Sequence, residues 1–387
     1  MRLHVVRVMP GSNTIWKTTM QPLKGIKVLD FSTLLPGPMC SLMLADAGAE
    51  VIKIERSAGD EMRAYVPKFG ADSVNFALLN RGKKSVVADL KSLDTIKLIE
   101  SLVIEADVLV EQFRPGVMDR LGLGYEKLSK LNPRLIYCSI TGYGQTGPYS
   151  QIAAHDLNYQ AQTGMLNLTG DDRGKPALPP MLTADLAGGA YPAIMNILLG
   201  LRKRDLSGAG CHIDVSMSDN LFTLMYWGLG NGWTANQWPT PGSDLVTGGS
   251  PRYQIYQTAD NKYLACAPIE EKFWANFLSV IGAVELHHET NTALVKASIA
   301  KIIAGQTAAY WMERFGALDT CVSEIVGLEQ AVTDPHFQAR GIFDRSISTA
   351  QGDHITALPT AVSKVFLAKE KVDSSPNLGQ HTKDFLK

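Results

Sequence analysis

Residues 25–55, GIKVLDFSTLLPGPMCSLMLADAGAEVIKIE, hold the signals that decide the fold class. The run Gly25 to Ser32 (GIKVLDFS) has the apolar, β-branched content of a short buried strand. Leu34-Leu35-Pro36-Gly37-Pro38 then turns the chain. Pro38 suits a first helical turn, where its missing N–H removes no hydrogen bond. The pattern predicts a helix over Met39–Ala47 that stops at Gly48, a residue able to close a helix in the left-handed conformation. Glu50 to Glu55 (EVIKIE) reads as the next strand. Strand, turn, helix and strand form a βαβ unit, and such crossovers build parallel sheets, so the chain is assigned to the α/β class. A dinucleotide-binding enzyme would share this order, with Glu55 in the place of a ribose-binding acid. The turn reads LLPGP and not G-x-G-x-x-G, however, and lacks the glycine-lined approach that a pyrophosphate needs. A nicotinamide enzyme is therefore not the reading taken.

Downstream, cations recur beside expected strands. Arg56 follows the second strand; Arg81, Lys83 and Lys84 precede a strand over Ser85–Asp89; Arg114 follows a strand over Asp107–Gln112, itself preceded by an amphipathic helix over Thr95–Ala106; Arg120 lies just beyond. Open α/β sheets bind ligands at the carboxyl ends of their strands, and a polyphosphate ligand uses scattered cations and backbone N–H groups there. A further strand, Arg134 to Ile140, runs into the glycine-broken turn Thr141 to Pro148 (TGYGQTGP). The dyad His155-Asp156 follows, then Asp185 ahead of Leu186-Ala187-Gly188-Gly189 and a helix over Ala190–Leu201. Two carboxylates and an imidazole thus stand at two expected helix starts, where plain capping is the alternative role. Cys211 to Met217 reads as a strand and Asp219 as the start of a helix through Trp227. The glycine-, tryptophan- and proline-rich segment 228–250 reads as a crossing linker and loop. A second unit follows, with a hairpin of Tyr253–Thr258 and Tyr263–Ala267 about Asp260-Asn261, helices over Glu271–Ile281 and Leu294–Phe315, and strands near Ile342–Ile347 and Thr360–Phe366.

The totals bound the function. At 387 residues two domains are expected, and 45% hydrophobic with 19% charged residues describes a globular protein. A formal charge of −1 argues against nucleic acid as a partner, because phosphate tracking needs a basic surplus. Five scattered cysteines without C-x-x-C suggest neither a zinc site nor a disulfide framework, and no metal is expected. A reducing, cytoplasmic location fits best. No apolar run approaches the roughly 18 residues of a membrane span, so no membrane partner is expected. Residues 1–20 are basic, without Asp or Glu, and are expected to be a leader of no catalytic use, with Met20 as the start proper.

Taken together, the motifs resemble those of the family III coenzyme A transferases (the CaiB/BaiF superfamily), and within it the 2-methylacyl-CoA racemases. The resemblance runs from Pro22 to the C-terminus. It rests on LKGIKVLDFS with PGP, ADAGAEVIKIER (Ala45 to Arg56), NRGKKSV with DLK (Asn80 to Lys91), FRPGVMDRLGLGY (Phe113 to Tyr125), TGYGQTGPYS (Thr141 to Ser150), HDLNY (His155 to Tyr159), the Asp185 segment and SGAGCHIDVSMSD (Ser207 to Asp219). It implies an α/β fold with a Rossmann-like large domain built from both ends of the chain, a smaller central α+β domain, and an interlocked homodimer with active sites between domains of different subunits. The corresponding boundaries are 21–227 for the large domain, 228–250 for the linker, 251–335 for the small domain and 336–387 for the return.

The resemblance also implies a site. In the transferases the aspartate at the position of Asp185 is a nucleophile that forms a mixed anhydride and then an aspartyl-CoA thioester. In the racemases it is one of two acid/bases flanking the α-carbon, the other being a histidine at the position of His155, assisted by Asp156. Inverting a carbon without a cofactor requires opposed groups of complementary protonation, and the enolate between them needs hydrogen-bond donors, for which the backbone at Gly188-Gly189 is a candidate. Oxalate-type transferases usually carry Tyr where His155 stands and Gln in the turn held here by Leu34-Leu35, and their glycine run is reduced here to Gly248-Gly249-Ser250. Glu270 matches a racemase glutamate that completes the His155 side. CoA contacts carry over to Arg56, to Ala88, Asp89, Leu90 and Lys91, to Gln112, Phe113 and Arg114, and to Arg120, with Ala154 to Tyr159 lining the thioester end. Met181, Met217 and Met225 are candidates for an adaptable acyl surface. The expected activity is epimerisation of 2-methyl-branched or 2-arylpropionyl-like acyl-CoA thioesters in lipid and fatty-acid metabolism, with no cofactor beyond the CoA of the substrate. The alternatives are a family III CoA-transferase with Asp185 as nucleophile, and a non-catalytic acyl-CoA-binding member.

Overall fold

The computed structural model describes residues 20–170, 175–349, 351–370 and 372–386; apart from Met20, the expected leader lies outside them. The chain divides into two compact units: Met1–Ile152, Asp185–Met217 and Gly341–Lys387 form the first, and Ala153–Ala184 with Ser218–Arg340 form the second. The segment Ala153–Ala184, placed in the large domain by the sequence boundaries, groups with the second unit.

The first unit is built on six parallel strands: β1 (Lys27–Asp30), β2 (Glu50–Glu55), β3 (Lys84–Val87), β4 (Val108–Glu111), β5 (Ile136–Thr141) and β6 (Cys211–Ser216). They lie in the order β3-β2-β1-β4-β5-β6, every neighbouring pair parallel. This is the doubly wound order of dinucleotide-binding folds, so the 25–55 stretch does build the expected βαβ unit. The strands are nearly unbroken apolar runs because helices cover both faces. Ile99, Val103, Leu123 and Leu128 pack with Leu29, Ile52, Leu109 and Tyr137 in one cluster. Met39, Leu42, Met43, Phe76 and Ala190 form another. The helix after β1 begins earlier than expected, at Pro36, and runs to Asp46 with ten of its eleven residues buried.

The last segment of the chain returns to this unit and seals the edge strand β3. The amide of Ser85 donates to His381 Nδ1 at 3.2 Å and that of Val87 to Thr382 Oγ1 at 2.9 Å. In return, the amides of His381 and Gly379 donate to the Ser85 carbonyl and hydroxyl, each at 2.9 Å. Groups that an open edge would leave unpaired are thus satisfied from within the chain. Of the strands expected near the C-terminus, the first shortens to Ser346–Ser348 and the second is the 3₁₀ turn Lys364–Phe366.

The helix Tyr191–Ser207, with the turn before it, makes a 24-residue segment long and apolar enough on composition to match a membrane span. It is amphipathic in use: Ala193, Ile197, Gly200 and Leu201 are buried while Met195, Leu198 and Leu199 are exposed.

The second unit carries its own core. Strands Gln254–Gln257, Tyr263–Cys266 and Val322–Glu324 form an antiparallel sheet, and the expected hairpin turns at Asn261 with φ +58°. Helices Glu271–Ile281, Thr292–Ile303 and Ala308–Phe315 cover it, with Trp274, Phe277 and Phe315 stacked at centroid spacings of 5.7 and 5.5 Å. The segment expected to be linker from residue 228 starts instead as a helix, Tyr226–Ala235. Its glycines are there for contact: a Cβ on Gly228 would lie 2.9 Å from Pro239, and one on Gly232 would lie 2.5 Å from the Trp238 ring. Composition alone suggested flexibility, whereas the glycines line one helix face onto which the returning chain packs.

Candidate active site

Three of the expected CoA-binding stretches, together with the PGP turn, leave the carboxyl ends of adjacent strands in the first unit. The PGP turn follows β1, Arg56 follows β2, Ala88–Lys91 follow β3 and Gln112–Arg114 follow β4. Between β1 and β4 the strand order reverses, which in open α/β sheets opens the ligand crevice. Here the amide of Gly37 donates to Gln112 Oε1 at 3.1 Å across that point. A Cβ on Gly37 would stand 2.1 Å from Ser32 Cβ, so this glycine serves close packing of the turn and leaves no open cradle for a pyrophosphate.

The cations divide sharply. Arg81 is buried and bonded to both oxygens of Asp46 and to Asp373 at 3.1 Å. Lys83 is fully buried, its ammonium donating to Pro38 O (2.9 Å), Ser41 Oγ (2.7 Å) and Asn80 Oδ1 (2.9 Å); burial pulls its pKa down to about 8. Both brace the PGP turn and its helix from inside and are unavailable to a ligand. Lys84 pairs with Glu50 on the sheet. Arg56, Arg114 and Arg120 are exposed. Arg56 donates to Gly59 O at 3.0 Å and to Glu61 at 3.2 Å, on the rim of a depression of about 420 Å³ that also includes Ala58, Ala64 and Leu378. Ala88 is buried, its amide bonded to Glu55 O at 2.9 Å; Asp89 accepts from the Lys91 amide at 3.0 Å, leaving Asp89 and Lys91 exposed on a fixed turn with Leu90 half-buried. Phe113 N–H donates to Glu111 Oε2 at 2.8 Å, which sets the exit of β4.

Glu111 sits in a cavity of about 130 Å³ with Arg114, Tyr125, Tyr137, Ser139 and His212. Ser139 Oγ is 2.9 Å from His212 Nε2 and also bonds Glu111. Burial raises the Glu111 carboxyl to about 7, against hydrogen bonds from Ser139 and Phe113 that favour its ionised form. The ordinary value is 4.5, so the folded chain holds a proton that the unfolded chain releases between these two values. The destabilising effect is therefore absent below the lower value and complete above the higher one. Glu111→Gln still accepts from the Phe113 N–H and can donate its amide N–H to Ser139 Oγ, so it is expected to stabilise the fold at pH 8 by about 2 kcal/mol, with no gain at pH 4. Urea unfolding at the two pH values checks this; an equal loss at both would disprove it.

The acid–base candidates fall in different units. Ala154, His155, Asp156, Tyr159 and Glu270 belong to the second, and Asp185 opens a segment of the first. His155 caps the helix Asp156–Gln162 in extended conformation, its amide donating to Asn158 Oδ1 at 3.0 Å, and its side chain is exposed. The Tyr159 hydroxyl donates to Ala154 O at 2.8 Å, so the loop before His155 is tied to the helix after it. Asp156, expected to assist His155, is buried: Oδ1 accepts from the Ala184 amide at 2.7 Å and Oδ2 from Gln160 Nε2 at 2.6 Å. Gln160 was not foreseen as a site residue; its position one helical turn after Asp156 was the available signal. Glu270 is exposed at the start of Glu271–Ile281, beside Arg252, which donates to Ile269 O at 3.1 Å and to Glu271 at 2.9 Å. Among the described residues, His155 and Glu270 share no hydrogen bond or ion pair.

Asp185 is not a simple N-cap. It lies in the first turn of a π-helix, Ala184–Ala190, a wide turn that recurs at functional sites. Gly188 and Gly189 are buried behind it. A Cβ on Gly188 would meet Met217 O at 2.3 Å, and one on Gly189 would meet Pro36 Cβ at 3.1 Å. Both are used for packing the turn against the end of β6 and the PGP turn. Met217 and Met225 are buried and Met181 is exposed, so of the expected acyl-surface methionines only Met181 is open.

Comparison with known proteins finds similarity over nearly the whole chain. Residues 23–382 match the model of CoA-transferase family III. The mouse alpha-methylacyl-CoA racemase is 34% identical over 371 residues, covering 94% of this chain and 92% of its own. The acetyl-CoA:oxalate CoA-transferase of Acetobacter aceti is 35% identical over 342 residues, covering 84% and 86%. A crystal structure of a point mutant of Rv3272 from Mycobacterium tuberculosis superposes with a TM-score of 0.83 at 28% identity, covering 95% of this chain and 99% of that one.

Proposed function

Because the chain belongs to CoA-transferase family III, we propose that it is an enzyme that inverts the α-carbon of 2-methyl-branched acyl-CoA thioesters. The reaction is a two-base proton transfer. One of His155 and Asp185 removes the α-proton as a base while the other, protonated, returns a proton to the opposite face of the enolate. Which does which depends on the enantiomer bound. The observation that carries the reading is the exposed imidazole of His155 on an anchored helix start. An aspartyl nucleophile has no use for an imidazole there, whereas inversion requires a second acid–base of a different kind. The CoA moiety is read as lying along Arg56, Ala88–Lys91, Gln112–Arg114 and Arg120, with Ala154–Tyr159 at the thioester. Glu270 is assigned to the His155 side across a homodimer. Exposed Met195, Leu198 and Leu199 in one unit and Trp233 and Trp238 in the other are apolar surface of the kind a partner subunit covers.

The second reading is a CoA-transferase with Asp185 as nucleophile, favoured by an oxalate transferase at 35% identity. A 2-methylacyl-CoA incubated with the protein in D₂O separates the two. Exchange of the α-proton with loss of configuration, followed by NMR, is the expected result. No exchange, together with an aspartyl-thioester trapped by hydroxylamine, would establish the transferase; neither, with CoA binding retained, would leave a non-catalytic acyl-CoA-binding protein.

A further inference from the structure

The buried pair Asp156–Gln160 contacts the residue immediately before Asp185. Asp156 Oδ1 takes the Ala184 N–H at 2.7 Å, while Gln160 Nε2, one helical turn along, holds Oδ2 at 2.6 Å. Asp156 is 4% and Gln160 2% exposed, so the bonds are shielded from competing water. Ala184 is the first residue of the π-helical turn and Asp185 the second. A π-turn is a locally irregular helix start, and the orientation of its first amide sets where the next side chain points. From this we infer that Asp156 and Gln160 are positioning residues for Asp185: they hold its backbone by hydrogen bonding, and the charge of Asp156 is not what the reaction uses. This reassigns Asp156, which the family resemblance had implied as an assistant to the imidazole. The inference rests on the two-base reading above.

The two roles predict different variants. Asparagine reproduces the geometry, its Oδ1 accepting from Ala184 and its amide donating to Gln160 once the Gln160 amide turns over. Alanine removes both bonds. If Asp156 served His155 by its charge, asparagine and alanine would be equally harmful.

The test is α-proton exchange in D₂O, measured separately on each enantiomer of one 2-methylacyl-CoA. His155→Ala and Asp185→Asn calibrate it, each retaining exchange only for the enantiomer whose proton faces the surviving base. Asp156→Ala is expected to slow exchange of the Asp185-facing enantiomer by about 10²-fold, the scale of a displaced catalytic group, and the other by less than about threefold. Gln160→Met, which keeps the volume and removes the amide, is expected to give the same selectivity at about tenfold. Asp156→Asn is expected to stay within about tenfold of the wild type on both enantiomers. The inference is overturned if Asp156→Asn is as impaired as Asp156→Ala, or if either alanine or methionine variant loses the His155-facing enantiomer instead. Should Asp156→Ala not fold, Asp156→Asn and Gln160→Met decide the matter by the same pattern. If the calibrating variants do not divide the enantiomers, the two-base reading itself fails. The brace is then read from thioester trapping: Asp156→Ala slows it about 10²-fold and Asp156→Asn does not, or the brace fails too.

Discussion

Asp185→Asn should end racemisation, lowering inversion in both directions by more than about 10²-fold, the scale of one lost acid–base. His155→Ala should do the same. The symmetry is the point, because inversion needs both groups in every turnover whichever enantiomer enters. What differs is the residual exchange, since each variant still removes the proton that faces its remaining base. His155 is exposed and Asp185 half-buried, so neither substitution opens a cavity in the core. His155 is held through its backbone amide by Asn158, and the turn carrying Asp185 is packed through Gly188 and Gly189. Loss of activity with unchanged unfolding curves is therefore expected. If His155→Ala inverted substrate at the wild-type rate, the two-base reading would be wrong and the aspartyl-nucleophile reading would take its place.

Gly188→Ala carries the second large effect, and it acts through the backbone. The added Cβ would lie 2.3 Å from the Met217 carbonyl oxygen, 3.1 Å from its carbon and 3.4 Å from its Cα. Every one of these is main chain at the end of β6, so no rotamer change relieves the overlap. Either the π-turn or the residues leaving β6 must move. Overpacking of this kind costs about 1–3 kcal/mol. Because Asp185 is three residues earlier on the same turn, a shift of about 1 Å there should also lower turnover by about 10²-fold. Denaturant unfolding and initial rates on one preparation check both halves. A variant with wild-type stability and rate would mean that Met217 yields freely and the turn is not fixed by this contact.

The sheet was legible because its evidence is periodic. GIKVLDFS and EVIKIE are apolar runs bounded by a proline turn and a glycine stop, and they became adjacent parallel strands in register Lys27 to Glu50. The family was legible because its motifs are spread over the whole chain. Two things were misread, each for a physical reason. Arg81 and Lys83 look like ligand cations in sequence, since a buried lysine has no local mark; only the distant Ser41, Asp46 and Asp373, and the nearby Asn80, show that they are internal. Gly228 and Gly232 suggest a loop, because glycine composition does not distinguish backbone freedom from the need for a close neighbour. The bond from the Ala184 amide to Asp156 spans 28 residues and is announced by nothing beside either residue in sequence. Side-chain pairings of that range leave no pattern in a single chain.

The seal on β3 bears on how the protein is made. Ser85 and Val87 find their partners in His381 and Thr382, 296 and 295 positions later. On the ribosome, the strand that leads into Ala88–Lys91 therefore waits with unpaired amides until residues 379–382 have been made. Pairings so distant are slow to close, and an open edge is where nascent chains stick to one another. Residues 379–382 act as a latch set long after the strand they seal, so a chain stopped before residue 379 would retain nearly all of its core and still carry an adhesive edge.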